Sequence, residues 1–574
     1  MDDRKNYPLP VRVLPLLTVL IAGVLISIAY DFSFSSNDDS LLRAIASGVY
    51  TGKPESHLIY IMFPLGCVFK GLYSILPSVE WYGIFMVGMH FLCWYLLVKR
   101  VVSCFEAIWE RIFANVATLL LIVTVDLKYM LMHQYTVLAG VIVATAILWI
   151  ATASIVSAHG EKSAKDGIVP LVLLIVSLWL RKEVLLMGLP LVCIAILVKG
   201  FKNIKKTLVY ALIFAVVFAA SFVTEKFAYS SREWKDFKAF NEARTEAYDY
   251  NKFPEYETYK DMYEKLEIPE SEYTILTWGL DVSLAKHATT ESLKSITGCY
   301  DDIIKDWQQY YSVPKKIIKD TVTGIFRNDV QPIGILMGVM IIIAIILSWV
   351  SKDYRLLIAC LGAYAYRVVF TAYLIYKGRF LERVSYGLML MILLVAVSVL
   401  AGFLSDRRIS LKGRHVAVIC AFVITAVATV LTLQKTLEAS KKLSKDSEKI
   451  EILYDYCNSR PEDDFLVNTY SVATFTEKVF LKEKRPANYI VMGEWTAKSP
   501  LEEKRLERAG VTDYETAALT GENTYILTNS EIPLSRYNDY FKADVQNVSG
   551  KIFDSFEVSE GENFDVLDFS SGDE

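Results

Sequence analysis

Two stretches, "VRVLPLLTVLIAGVLISIAY" at 11–30 and "IGILMGVMIIIAIILSWV" at 333–350, carry a single charged side chain between them. A helix through either would span about 30 Å, the thickness of a bilayer's hydrocarbon core. Further apolar segments fall near 57–76, 81–98, 112–125, 134–155, 167–180, 184–198, 207–224, 355–375, 384–404 and 415–433. A soluble fold has no place for so many, and with 53% of 574 residues hydrophobic the chain reads as a polytopic α-helical membrane protein. The first run is too long for a signal-peptide core, and no small-residue cleavage site follows it, so it reads as a retained anchor.

The net charge of −4 matters less than where the charges lie. Lys and Arg gather at the N-terminus (Arg4, Lys5, Arg12), across Lys99–Arg111, at Lys162–Lys165, in "KGFKNIKK" at 199–206 and in "DRRISLKGR" at 406–414. Basic loops stay cytoplasmic, and these share one side only if the segment at 57–76 does not cross. Pro64, Gly66, Lys70 and Gly71 interrupt that segment, as suits a juxtamembrane or re-entrant element. About eleven spans follow, with the N-terminus cytoplasmic and the C-terminus outside. The expected organisation is a transmembrane module at 1–433, with outside loops at 31–80 and 225–330, and an extracytoplasmic α/β domain at 434–574. The loop at 225–330 reads as short helices. In the tail, "DFLVNTYS", "NYIVMGEW", "TYILTNS", "KIFDSFEVS" and "FDVLDF" alternate as strands do, around a helix at "SPLEEKRLERAG".

The eight cysteines show no CxxC or Cys/His spacing, so neither a zinc site nor a disulfide framework is indicated. A P-loop, a GxGxxG after a strand, a GxSxG elbow and HExxH are all missing, which removes nucleotide-driven and metalloprotease readings.

Chemistry can sit where polar residues meet the membrane surface. "SSNDDSLLRAIASGVYTGKP" opens the first outside loop with Asp38 and Asp39. Asp-Asp-Ser is a good helix N-cap, and Leu41, Leu42, Ile45 and Val49 recur at the spacing of an amphipathic interfacial helix. Paired carboxylates at a bilayer surface also suit a general base for a hydroxyl acceptor. "SLWLRKEVLLMGLP" places Arg181, Lys182 and Glu183 between two short apolar segments, either as a snorkelling turn or as cations sunk near headgroup depth. Such cations would hold a lipid-linked phosphate, Arg as a fork and Lys as a point charge. "YKGRFLERVSY" adds Lys377, Arg379 and Arg383, with Glu382 able to neutralise one of them. "VDLKYMLMHQY" offers Asp126, Lys128 and His133 in an outside turn, and His57 precedes the re-entrant element. Tyr and Trp residues of 225–330 would stack on sugar rings or form an interfacial belt.

One span, an acid-opened loop, six more spans, a long outside loop and an extracytoplasmic tail: this layout resembles the GT-C superfamily of membrane glycosyltransferases, which use polyprenyl-phosphate sugars. Asp38-Asp39 falls where that superfamily carries its acidic pair, and "LWLRKEVLLMGLP" where it often carries a basic residue. "NDDSLLRAIASGVYTGKP" is also similar to the opening loop of bacterial O-antigen glucosyltransferases. The Lys-Pro-Pro-Leu signature of the aminoarabinose and protein-mannosyl branches is reduced to "GKPESH", with Lys53 and Pro54. The Trp-Trp-Asp motif of oligosaccharyltransferases is missing; "EWT" at Glu494–Thr496 does not replace it.

The resemblance implies an inverting glycosyltransferase of a bacterial plasma membrane. It would move a sugar from a polyprenyl-phosphate carrier to an extracytoplasmic acceptor: a surface glycan, a teichoic acid or a glycolipid. Asp38 or Asp39 would be the base, and Arg181 and Lys182, with Arg379 and Arg383, would hold the lipid phosphate. Lys53, His57, Asp126 and His133 are further candidates. Membrane lipids are the other expected partners, with no nucleic acid. No soluble cofactor is required, and no ligand spacing supports a divalent metal at Asp38 and Asp39. Two rival readings are a polysaccharide polymerase and a flippase or transporter for lipid-linked sugars. A flippase more often shows charges deep in several spans and two similar halves.

Overall fold

The computed structural model describes the chain apart from residues 1–8, 159–164, 202, 252, 280, 304–313, 316–317, 328–329, 378–379, 406–410, 481–484, 546–547 and 570–574. The fold is mostly helical. Its first half comprises α1 (Leu9–Ala29), α2 (Asn37–Ser47), α3 (Phe63–Ile75), α4 (Trp81–Val102), α5 (Ile108–Leu131), α6 (Tyr135–Ala151), α7 (Ala153–Ala158), α8 (Lys165–Leu180), α9 (Lys182–Lys199) and α10 (Ile204–Ala228). Short helices follow, including α11 (Arg232–Thr245), α12 (Lys260–Lys265), α13 (Glu270–Thr274) and α14 (Thr290–Ile303). Then come α15 (Ile333–Val350), α16 (Tyr354–Tyr376), α17 (Glu382–Leu404) and α18 (Leu411–Asn458).

Among the described residues, eight helices are long and apolar enough to cross a membrane by length and composition, against about eleven expected from loop charge. Three expected spans account for the difference. The described parts of α1 and α8, Val13–Ala29 and Asp166–Leu180, are short. The third, α9, carries Lys182, Glu183 and Lys199 at its ends. At 13 residues α3 rises about 20 Å, less than the hydrocarbon thickness.

Burial separates centre from rim. Apolar all round, α6 is buried from Tyr135 to Trp149, as a helix surrounded by other helices should be. It crosses α17 so closely that a Cβ on Gly140 would lie 2.9 Å from the Gly387 Cα; small residues allow that approach. In contrast, only 6% of the apolar window of α10 is buried, and Leu208, Leu212, Val216 and Val223 face outward. Such a surface needs a bilayer or another apolar cover.

The last segment builds a five-stranded mixed sheet from β3 (Asp464–Val467), β4 (Tyr489–Val491), β5 (Thr524–Asn529), β6 (Lys551–Ser559) and β7 (Glu562–Asp568), in the order β4-β3-β5-β7-β6. The first three run parallel, and β6–β7 is an antiparallel hairpin turning at Gly561, whose φ of 75° suits glycine. The division expected at 433/434 falls inside α18, one continuous helix of 48 residues. Ile275 and Leu284, from the region between α10 and α15, belong to the apolar cluster under this sheet, so loop and tail interlock.

A second, smaller sheet has one of its two strands just before α2. Strands β1 (Ser33–Phe34) and β2 (Met132–His133) pair in parallel. Tail residues 477–479 run along β1: Phe34 N donates to Glu477 O at 2.9 Å, and Val479 N to Phe32 O at 2.7 Å. Arg43 of α2 pairs with Glu477 inside this junction, and its Nη1 donates to the carbonyls of Lys478 and Val479 at 3.1 and 3.0 Å. Tyr454 of α18 donates to the same carboxylate. The expectation of an interfacial α2 is therefore corrected: the tail covers its polar face, and Asp39–Ala46 are buried.

Candidate functional site

Helix α2 begins at Asn37, with Ser36 at the cap position, so Asp38 and Asp39 lie in its first turn instead of capping it. Negative charge is favoured there by the unpaired N–H groups of the turn. The two side chains then diverge. Asp39 is fully buried; its Oδ1 accepts from the Tyr82 hydroxyl at 2.8 Å and the Tyr135 N–H at 3.1 Å, while Oδ2 has no hydrogen-bond partner. Burial pushes its carboxyl up from 3.8 to about 8, and the neighbouring Asp38 adds to the rise; the two hydrogen bonds and Arg383 only partly offset it. Asp38 keeps 21% of its side chain exposed and meets Arg383 Nη1 at 3.3 Å through Oδ2.

One cation, Arg383, pairs with this carboxylate, and a second, Arg181, acts on it through its charge. Arg383 stands in the first turn of α17. Arg181 is the single extended residue between α8 and α9, with φ −157°. Its guanidinium lies 5.4 Å from the ring centres of both Tyr60 and Tyr135 and bonds Glu183 at 3.1 Å. Tyr135 sits in the combined field of Arg181, Asp38, Arg383 and Tyr60. Arg244 and Asp249, from the region after α10, join Asp38 and Arg181 around Tyr60. Trp495 of the tail packs on Tyr60, their ring centres 4.8 Å apart. The result is one partly exposed carboxylate and two guanidiniums in an aromatic setting, built from α2, the α8–α9 junction and α17.

Other expected residues lie elsewhere. Lys182 turns from its neighbour Arg181 toward Glu225 and Lys238. Arg379 falls outside the described residues. Lys53 is exposed in the turn after α2. His57 has a structural role: Nδ1 meets Glu55 Oε1 at 3.0 Å, Nε2 meets Ala228 O at 3.2 Å, and the ring stacks on Trp234 at 5.0 Å. Glu55 also meets Lys504 of the tail at 2.6 Å. Burial opposes the Glu55 charge, but the bonds from His57, Lys504 and the Ser56 N–H outweigh it and hold the carboxyl well below its usual range.

The outside turn expected at 126–133 is corrected too. Helix α5 continues to Leu131, so Asp126 is a buried helical residue, bonded by Trp94 Nε1 at 2.6 Å and by the Tyr386 hydroxyl, with His90 Nε2 at 3.0 Å. These partners allow a carboxyl to stay inside the bundle. His133 is buried in β2 against His90 and Phe32, with neither ring nitrogen hydrogen-bonded. Glu382 pairs with Lys128 and accepts from Tyr129 at 2.7 Å, leaving Arg383 for Asp38.

Sequence reasoning missed Tyr60, Tyr82, Tyr135 and Arg43. Each is a single residue in an apolar or interfacial stretch whose partner is remote in sequence: Asp39 for Tyr82 and Tyr135, Arg181 and Trp495 for Tyr60, and Glu477 of the tail for Arg43. Among the described residues, no group of three His, Cys, Asp or Glu side chains is arranged to hold a metal ion. No family model, curated protein or solved structure matches the chain.

Proposed function

We propose that the protein is an inverting glycosyltransferase that moves a sugar from a polyprenyl-phosphate carrier to an acceptor outside a bacterial plasma membrane. The carrying observation is the convergence of Asp38, Arg383 and Arg181 from three separate parts of the chain. The apolar helices support a lipid-borne donor. Asp38 takes the proton of the acceptor hydroxyl, whose oxygen attacks the anomeric carbon from the face opposite the phosphate. The bond from that carbon to the phosphate oxygen breaks, and the lipid phosphate leaves with the electron pair. Arg181 and Arg383 stabilise the charge it gains; removing such a donor typically costs about 10²–10³ in kcat. Asp39, buried and holding Tyr82 and the Tyr135 amide, is a positioning residue that fixes the turn carrying Asp38. The acceptor is a surface glycan, a teichoic acid or a glycolipid.

The test is complementation of a deletion strain with Asp38→Asn and Arg181→Gln, reading surface-glycan composition at matched protein level. Both variants are expected to leave the deletion's glycan defect in place. Full restoration by both would refute the reading.

A further inference from the structure

A further cation lies within the apolar part of the fold, on a helix that contributes no residue to the Asp38 cluster. Arg367 sits in α16, whose composition suits a membrane span, about 14 Å from its C-terminal end by helical rise. Only 1% of the residue is exposed. Among the described residues no carboxylate pairs with it. Its Nη2 donates to the Thr321 carbonyl at 3.2 Å, its guanidinium lies 6.0 Å from the Tyr364 ring centre, and its Nε is buried with no acceptor. Thr321 is 5% exposed, and its hydroxyl is likewise buried without a partner. Gly324 adds no side chain here: a Cβ built on it would stand 3.7 Å from Arg367 Nη2.

A guanidinium buried in an apolar setting with only neutral partners, the Thr321 carbonyl and Tyr364, is costly, and ionisable residues at such depth by default mark a site for an opposite charge. Of the two groups without partners, Arg367 Nε can only donate and the Thr321 hydroxyl is able to. A ligand rich in acceptors and negatively charged fits them, and phosphate oxygens suit an arginine fork. The flank indicates where that phosphate comes from. Residues 318–323 are helical and run into a short 3₁₀ turn at Gly324–Phe326. Ile318, Val322 and Phe326 are all more than half exposed, close in sequence to buried Thr321. Three exposed apolar side chains with Lys319 exposed among them are what a segment meeting a lipid surface presents.

We propose that Arg367 and Thr321 form an anion site, separate from the Asp38 cluster, that takes the phosphate of a lipid headgroup. The inference does not rest on the glycosyltransferase reading. Its test uses the full chain in detergent, with melting temperature measured against dioctanoyl phosphatidic acid, dioctanoylglycerol and inorganic phosphate in separate titrations. Phosphatidic acid is expected to raise the Tm saturably, and dioctanoylglycerol to leave it unchanged. Half-saturation should shift about tenfold in Arg367→Lys and in Thr321→Val, and the response should vanish in Arg367→Gln. If Arg367→Gln does not fold, the other two variants still decide. Arg181→Gln should keep the response. An equal rise with inorganic phosphate, dependent on Arg367, would keep the anion site and overturn its lipid source. A response equal in wild type and all Arg367 and Thr321 variants, or no response to any phosphate, would overturn the site.

Discussion

The two adjacent aspartates should behave oppositely when each is made an amide. Asp39 is fully buried, and its carboxyl is raised to about 8, so at pH 7 it is ~90% protonated. Asparagine is close to an isostere of that neutral acid: its oxygen can take over the bonds from Tyr82 and the Tyr135 amide. Asp39→Asn should therefore keep glycan output within about threefold at pH 7, where Asp38→Asn loses it by about 10²–10³ or more. The pH dependence carries a sign. A carboxyl whose folded value is raised contributes most stability below its unfolded value of 3.8 and loses that contribution as pH rises toward about 8. About four units at 1.36 kcal/mol each set a ceiling of ~5–6 kcal/mol on that loss. The variant has nothing to ionise there, so its Tm relative to wild type should climb steadily from pH 5 to 8. Loss of output equal to that of Asp38→Asn, at equal protein level, would make Asp39 the base. A Tm difference that stays flat with pH would mean that Asp39 is charged in the folded protein.

Breaking the buried Arg43–Glu477 pair by Arg43→Ala should cost about 3–5 kcal/mol and lower the Tm, and Arg43→Met with Glu477→Leu should recover much of it. Arg181→Lys should fail to restore glycan output, because an ammonium loses the fork held between Tyr60 and Tyr135. Asp281 is buried where loop meets tail, accepting from Asn468 at 2.6 Å, Thr469 N at 3.2 Å and Tyr537 at 3.3 Å. Burial raises it to about 7, against the pull of these bonds, so its contribution to stability falls between pH 4 and 7. Asp281→Asn should flatten that part of the Tm–pH curve, and parallel curves would refute the assignment.

Elements are legible in this sequence where a period is strong. Four of the five tail strands lie within the alternating stretches that suggest them, β7 begins two residues before its own, and β5 and β6 match theirs almost to the residue. Spans are harder to count, since the described parts of α1 and α8 are short, α9 carries charges at its ends, and charge bias alone does not say how far a helix extends. Asp126 was expected in a turn because an acid ends an apolar run; Trp94 and Tyr386, remote in sequence, let the helix continue past it. The site is legible only in part. Asp38, Arg181 and Arg383 each stand out as charges where apolar runs end, but their convergence depends on which faces of near-uniform helices meet. The different fates of Asp38 and Asp39, and of Arg181 and Lys182, follow from a turn of helix that periodicity does not fix.

Arg43 leaves the ribosome 434 residues before the Glu477 that neutralises it. Until then α2 has neither its buried counter-ion nor the strand laid along β1. The nascent chain thus carries both aspartates through almost the whole of synthesis without a finished site around them. Under the proposed function, activity belongs to a chain delivered past residue 477, and a copy stopping short of it is expected to occupy the membrane without working there.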